Sequence, residues 1–195
     1  MNMLPKALYG DVSWQEALVA TVGSPEMQRV NGGRIGDQRF FVAAIIGNPS
    51  LFAEAREAVR ERELGKAVEQ GVEALKRSFA HALRYRFGDV AGEAEAVSVL
   101  CPLTSRALED EERALEAAVL TPHGALDAFK LAMRTLFSEW RNDPNVMTAK
   151  VRRVEVSSDD PIPAVLDGET VELGRSAVVE FVPTAFKALV PTEAR

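Results

Sequence analysis

The stretch from Pro163 to Gly174, PAVLDGETVELG, decides how the second half of the chain is read. Asp167-Gly168 lies between two strand-like runs, PAVL and TVEL, the second alternating apolar and polar residues. An Asp-Gly pair supplies the positive φ values that a tight hairpin needs. The segment therefore reads as two antiparallel strands and a two-residue turn. The turn needs nothing more, yet Glu169 follows at once. On the residues alone Glu169 is a solvated side chain at a strand start, and the turn accounts for Asp167.

Working outward, the same alternation appears in KVRRVEVSS (150–158) before the hairpin and SAVVEFVP (176–183) after it. Toward the N-terminus, QRVNGGRIGDQRFFVAAIIGN (28–48) reads as short antiparallel strands. Asn31-Gly32-Gly33 and Gly36-Asp37 are its expected turns, and Phe40 to Ile46 its well-buried strand. AVSVLCPL (96–103) and LEAAVL (115–120) are further strands, and GDVAGEAEA (88–96) is a turn.

Two other segments carry a helical period. From about 52 to 87, Leu64, Val68, Val72, Leu75, Phe79 and Leu83 recur every three or four residues among charged ones. Thr121-Pro122 opens a second helix whose stripe is Leu126, Phe129, Met133, Leu136 or Phe137, and Trp140. A shorter helix starts at Ser13, where Ser13 and Glu16 have the spacing of a capping box, and ends at Gly23 and Pro25. Leu4, Leu8 and Tyr9, before it, are apolar and call for a partner surface. The chain of 195 residues is thus a single α+β domain with a long helical insertion at about 52–87 and a second helix.

Composition narrows the chemistry. A formal net charge of −6 disfavours a general nucleic-acid binder. One cysteine, Cys101, excludes an internal disulfide and any CxxC motif, and its place after a strand marks it as a small buried residue. With only His81 and His123, a histidine-rich metal site is not expected; a metal would be a hard cation on oxygen ligands. The run Glu109-Asp110-Glu111-Glu112 lacks the alternating spacing of a calcium loop and reads as a solvated surface. No apolar run has the length of a membrane span, so the expectation is a cytoplasmic protein.

The tail carries more than composition does. DDPIPAVLDGETVEL followed by SAVVEFVPTAFKALVP resembles the end of the bacterial diacylglycerol kinase and lipid kinase family, which closes with an Asp-Gly-Glu turn and a P-x-A-x-x-V-x-V/L-x-P ending. Here that ending falls on Pro183, Ala185, Leu189, Val190 and Pro191. MNMLPKALYG likewise resembles the continuation of the family's Gly-Thr-x-Asn motif, with Asn2 as the motif asparagine. The resemblance extends over nearly the whole chain, but the Gly-Gly-Asp-Gly-Thr loop that contacts nucleotide phosphates in the family has no counterpart here.

The resemblance implies a C-terminal domain that is largely a two-layer β-sandwich, whose Asp-Gly-Glu turn faces a cleft toward a missing N-terminal nucleotide-binding domain. It implies ATP and Mg2+ as cofactors that this chain alone binds poorly, a diacylglycerol-like lipid as substrate, peripheral contact with the inner membrane face, and a possible homodimer. Glu169 is then the expected proton acceptor, Asp167 shapes the turn or assists the metal, and Asn2 belongs to the nucleotide side; no metal ligand is carried over. A non-catalytic lipid- or protein-binding domain on the same scaffold is the alternative.

Overall fold

The computed structural model describes residues 3–47, 83–108, 113–120, 141, 144 and 146–192. Two helices lead: α1 (Met3–Tyr9) and α2 (Trp14–Gly23). Twelve strands follow among the described residues. They are β1 (Pro25–Ile35), β2 (Gln38–Phe40), β3 (Ala43–Gly47), β4 (Leu83–Phe87), β5 (Val90–Ala94) and β6 (Ala96–Leu100), then β7 (Leu115–Leu120), β8 (Val146–Val151), β9 (Arg153–Ser157), β10 (Ile162–Leu166), β11 (Glu169–Leu173) and β12 (Ser176–Pro191).

The strands form two six-stranded sheets, ordered β2-β1-β12-β9-β4-β5 and β11-β10-β3-β6-β7-β8, with every pairing antiparallel. The sheets face one another as a sandwich. Phe40, Ile46, Val97, Val99, Leu115, Val119, Val154, Ile162 and Val179 fill the space between them, all essentially removed from water. The expected two-layer, β-rich α+β architecture is what the chain adopts.

The N-terminal readings also stand. Ser13 Oγ accepts from the Glu16 N–H at 3.3 Å, and the Glu16 carboxylate accepts from the Ser13 N–H at 2.9 Å. The Ser13 N–H first, and the Ser13 hydroxyl second, donating to the same carboxylate oxygen at 2.8 Å, lower the Glu16 carboxyl pKa from its ordinary value. The box therefore supports α2 above the ordinary glutamate pKa and loses that support as pH falls through the lowered value. Leu8 is buried against Val30 and Val190, with Leu4, Tyr9, Phe186 and Ala188 around them.

Four local expectations are corrected. Residues 83–87, expected in the long helix, are strand β4; Leu83 and Phe87 face the core while Arg84 and Arg86 face solvent. The rest of the helical insertion, most of the helix at 122–141, His81, His123 and the acidic run 109–112 lie outside the described residues. GDVAGEAEA is not all turn: only Gly88-Asp89 turns, and Val90–Ala94 pairs with β4. Phe40 to Ile46 is not one strand. It is cut at Phe41-Val42, with β2 in one sheet and β3 in the other.

The last correction concerns Asn31-Gly32-Gly33, which is not a hairpin turn but part of β1. Its glycines are required by packing. A Cβ on Gly33 would lie 2.1 Å from Phe40 Cζ, and one on Gly32 would lie 2.8 Å from the Phe40 carbonyl oxygen. The Phe40 ring is wholly buried and has nowhere to retreat. Gly33→Ala is expected to destabilise the chain by about 1–3 kcal/mol through overpacking. Gly36→Ala, in open space, meets only the milder strain of its positive φ. Thermal melts of the two variants side by side check this.

Among the described residues, Glu116 is the buried charged side chain. The Glu116 carboxylate, 1% exposed, accepts hydrogen bonds from Ser105 Oγ and from Nε and Nη2 of Arg141, the latter both at 2.6 Å. Removing the cation leaves a buried carboxylate with its counter-charge gone, so Arg141→Met is expected to cost about 3–5 kcal/mol. A urea unfolding curve reads this directly.

Candidate functional site

The β10–β11 hairpin has the geometry its sequence predicts. Leu166 pairs with Glu169 across a two-residue turn in which Asp167 (φ 51°) and Gly168 (φ 99°) both take positive φ. The hairpin lies at the edge of its sheet, because β11 is the outermost strand.

What the sequence does not reveal is the partner of Asp167. Its carboxylate accepts three consecutive backbone N–H groups: Oδ2 from Phe41 at 2.7 Å, and Oδ1 from Val42 at 2.8 Å and Ala43 at 3.0 Å. Its own N–H donates to the Ala43 carbonyl at 2.9 Å. Phe41 to Ala43 is the segment where the chain leaves one sheet for the other, and where a ladder supplies no acceptors. An ionised carboxylate is a strong acceptor for such donors. A side chain in the left-handed region suits this position, because aspartate tolerates αL better than most residues.

Glu169 sits differently. It is directly opposite Leu166 and shares a strand face with Val171 and Leu173, which pack on the core. That face is the inner one, so Glu169 stands where the sandwich opens at its end. It is exposed and accepts no hydrogen bond among the described residues. Of the two acids, one is engaged by backbone and the other has an unengaged carboxylate.

Three further features lie near Phe41, beside Gly32. The Phe41 ring packs edge-on against Phe186 of β12, with centroids 4.9 Å apart. Thr184 has φ 48°, a costly conformation for a β-branched residue, and its N–H donates to Asn31 Oδ1 at 3.0 Å. Arg39 Nη1 donates to the Ala185 carbonyl at 3.4 Å. These residues flank a bulge where Asn31 alone of β1 faces 183–185 of β12. The doubled phenylalanine in QRFFV was the one sequence signal for this rim. Asn2, expected on the nucleotide side, lies outside the described residues.

Cys101 is fully buried and donates to the Phe40 carbonyl, with 3.6 Å between sulfur and oxygen. Burial first, and the Asp167 charge second, push its thiol well above the ordinary range. It is therefore a packed thiol and not a nucleophile. Among the described residues, no group of three or more acidic, histidine or cysteine side chains is placed to hold a metal ion.

The two acids call for different tests, and Asp167 can be tested on the fold alone. Asp167→Asn keeps the turn but offers one acceptor oxygen where two served three donors. A loss of about 1–3 kcal/mol is expected, with faster amide exchange at Phe41, Val42 and Ala43. Exchange measured residue by residue checks whether the loss is confined to that crossover.

No family model matches the chain. No curated protein matches it either. Solved structures do. A putative diacylglycerol kinase from Bacillus anthracis overlays 87% of this chain at a TM-score of 0.58 and 14% identity. A diacylglycerol kinase structure from the same organism overlays 87% at 0.55 and 13% identity. The chain spans only 60% and 56% of those two proteins. At such identities the likeness is one of fold: this chain has the fold of the matched part of those kinases.

Proposed function

We propose that this chain is the lipid-side half of an ATP-dependent diacylglycerol or related lipid kinase. It transfers a phosphoryl group to a lipid hydroxyl only when a nucleotide-binding domain completes it. The observation that carries the reading is the coincidence of two things: the overlay on kinases of that description, and a hairpin bearing an unengaged Glu169 at the open end of the sandwich.

The work is divided between the acids. Asp167 is a positioning residue, fixing the turn against the crossover strand. Glu169 accepts the lipid hydroxyl proton as that oxygen bonds to the terminal phosphorus and the nucleotide diphosphate departs. Phosphoryl transfer asks for positioning and charge neutralisation more than for covalent chemistry. ATP and magnesium belong to the partner domain in this reading. Both oxygens of Asp167 accept backbone hydrogen bonds, and no step of this scheme passes through a metal held by this chain. No described helix is long and apolar enough to cross a membrane.

A non-catalytic domain on the same scaffold is the second reading. What favours it is that Asp167 is taken up by backbone donors.

In the complete two-domain enzyme, Glu169→Gln is expected to lower turnover by about a hundred- to ten-thousand-fold, with the melting temperature unchanged. This chain alone should show no phosphorylation of diacylglycerol. Unchanged turnover in the Glu169→Gln enzyme removes Glu169 from the proton transfer; absence of turnover in the unaltered two-domain enzyme leaves the non-catalytic reading.

A further inference from the structure

The crossover between the sheets is held from two sides, and Asp167 is one of them. On the other side is a tight turn at 101–105, directly after β6, in which the Thr104 and Ser105 N–H groups both donate to the Cys101 carbonyl at 3.0 Å. This turn serves the carbonyls of the crossover as Asp167 serves its amides. Cys101 Sγ donates to the Phe40 carbonyl. The Val42 carbonyl accepts the Cys101 N–H at 2.9 Å and the Thr104 hydroxyl at 2.8 Å.

The Val42 carbonyl and the Ala43 N–H belong to one peptide unit. Its oxygen is held by the 101–105 turn, and its N–H donates to Asp167 Oδ1 at 3.0 Å. The unit is planar and stiff, so holding the oxygen orients the N–H. A hydrogen bond accepted by the carbonyl also polarises the amide and makes its N–H a stronger donor. The Thr104 hydroxyl therefore acts on the Asp167 carboxylate through a single peptide.

That hydroxyl has one proton and two oxygens within reach, Val42 O at 2.8 Å and Cys101 O at 3.2 Å. The Cys101 carbonyl already accepts two N–H groups of its own turn, so the proton goes to the nearer Val42 oxygen. The turn is itself anchored. Ser105, the next residue, donates its hydroxyl to the buried Glu116 carboxylate and accepts the Ala107 N–H at 3.1 Å. Thr104 is thus a half-buried hydroxyl on a fixed backbone, with its bond aimed at the crossover.

We propose that Thr104 is a positioning residue for the Asp167–Glu169 turn. Its hydroxyl, through the 42–43 peptide, fixes the Asp167 carboxylate, and the two-residue hairpin carries that orientation to Glu169. What this does for turnover rests on the lipid-kinase reading. In that reading Thr104 sets where the proton acceptor stands and contributes nothing to holding either substrate. Loss of its hydroxyl is then felt in kcat and not in KM.

The test compares Thr104→Val, which keeps the shape and loses the hydroxyl, with Thr104→Ser, which keeps the hydroxyl. The Val42 carbonyl retains the Cys101 N–H in both, so both chains are expected to fold. In the chain alone, amide exchange at Ala43 should quicken by about tenfold in Thr104→Val, and the amide resonances of Gly168 and Glu169 should move. Those of Leu83–Phe87, in the other sheet, should not, and Thr104→Ser should restore all of them. In the complete two-domain enzyme, Thr104→Val should lower kcat by about ten- to a hundredfold with KM for lipid and ATP unchanged, and Thr104→Ser should recover most of the loss. Unmoved signals at Ala43, Gly168 and Glu169 overturn the proposal. So does a Thr104→Ser chain that behaves like Thr104→Val, or faster exchange throughout both sheets, because the residue would then serve the fold as a whole. A raised KM, or an unchanged kcat, in an active Thr104→Val enzyme overturns it as well. If the unaltered two-domain enzyme shows no turnover, the kinase reading falls, and the exchange and resonances of the chain alone decide whether Thr104 positions the turn.

Discussion

A single carboxylate fixes where the chain passes from one sheet to the other. At Phe41-Val42 the backbone leaves the β2 ladder and has not yet entered that of β3, so three N–H groups in a row need acceptors. Asp167 supplies both its oxygens to them. A partly buried polar backbone without partners costs a large fraction of a domain's net stability. The bonds tie residues more than a hundred positions apart, so the crossover and the β10–β11 hairpin must form together. The placement of Phe41 on Phe186, and so of β12 beside the turn, depends on this tie.

The same interaction separates the two acids of the Asp-Gly-Glu turn. A carboxylate with three N–H donors is held in one orientation, which suits a scaffold. Glu169, one strand position beyond the turn and on the inner face, keeps its acceptor capacity. Two carboxylates two residues apart thus differ in role because of what lies opposite them, and nothing in the local sequence encodes that difference.

Local signals were legible wherever the determinant was local. Asp-Gly gave the hairpin, Ser13 and Glu16 the cap of α2, and alternation the strands of the last third. The failures share a cause. Asn31-Gly32-Gly33 looks like a turn, but its glycines answer to the Phe40 ring, which is a tertiary contact. Leu83 continues a helical spacing from Phe79, yet Leu83, Tyr85 and Phe87 also alternate with arginines, and pairing with β5 and β9 selects the strand. The run from Phe40 to Ile46 is apolar throughout, so no periodicity could show a break whose acceptor sits at Asp167. The candidate site was half legible for the same reason: its acids stand in one short stretch, while Phe41, Phe186, Asn31 and Thr184 come from elsewhere.

The bulge between β1 and β12 has a consequence for how this fold tolerates change. Where β1 has Asn31 alone, β12 has three residues, 183–185, so two are extra. Two is an even number, and inside-outside alternation survives the bend. Phe181 and Val179 face the sandwich core, and Phe186 and Val190 then face α1 across the other side of the same ribbon. Loss of one residue there would reverse the sense of every side chain beyond it. Lys187 and Leu189 would turn toward Leu8, and Val190 would turn to water. Length at this point is therefore constrained in parity rather than in amount: a lineage can gain or lose residues here in pairs, and single-residue steps are closed to it.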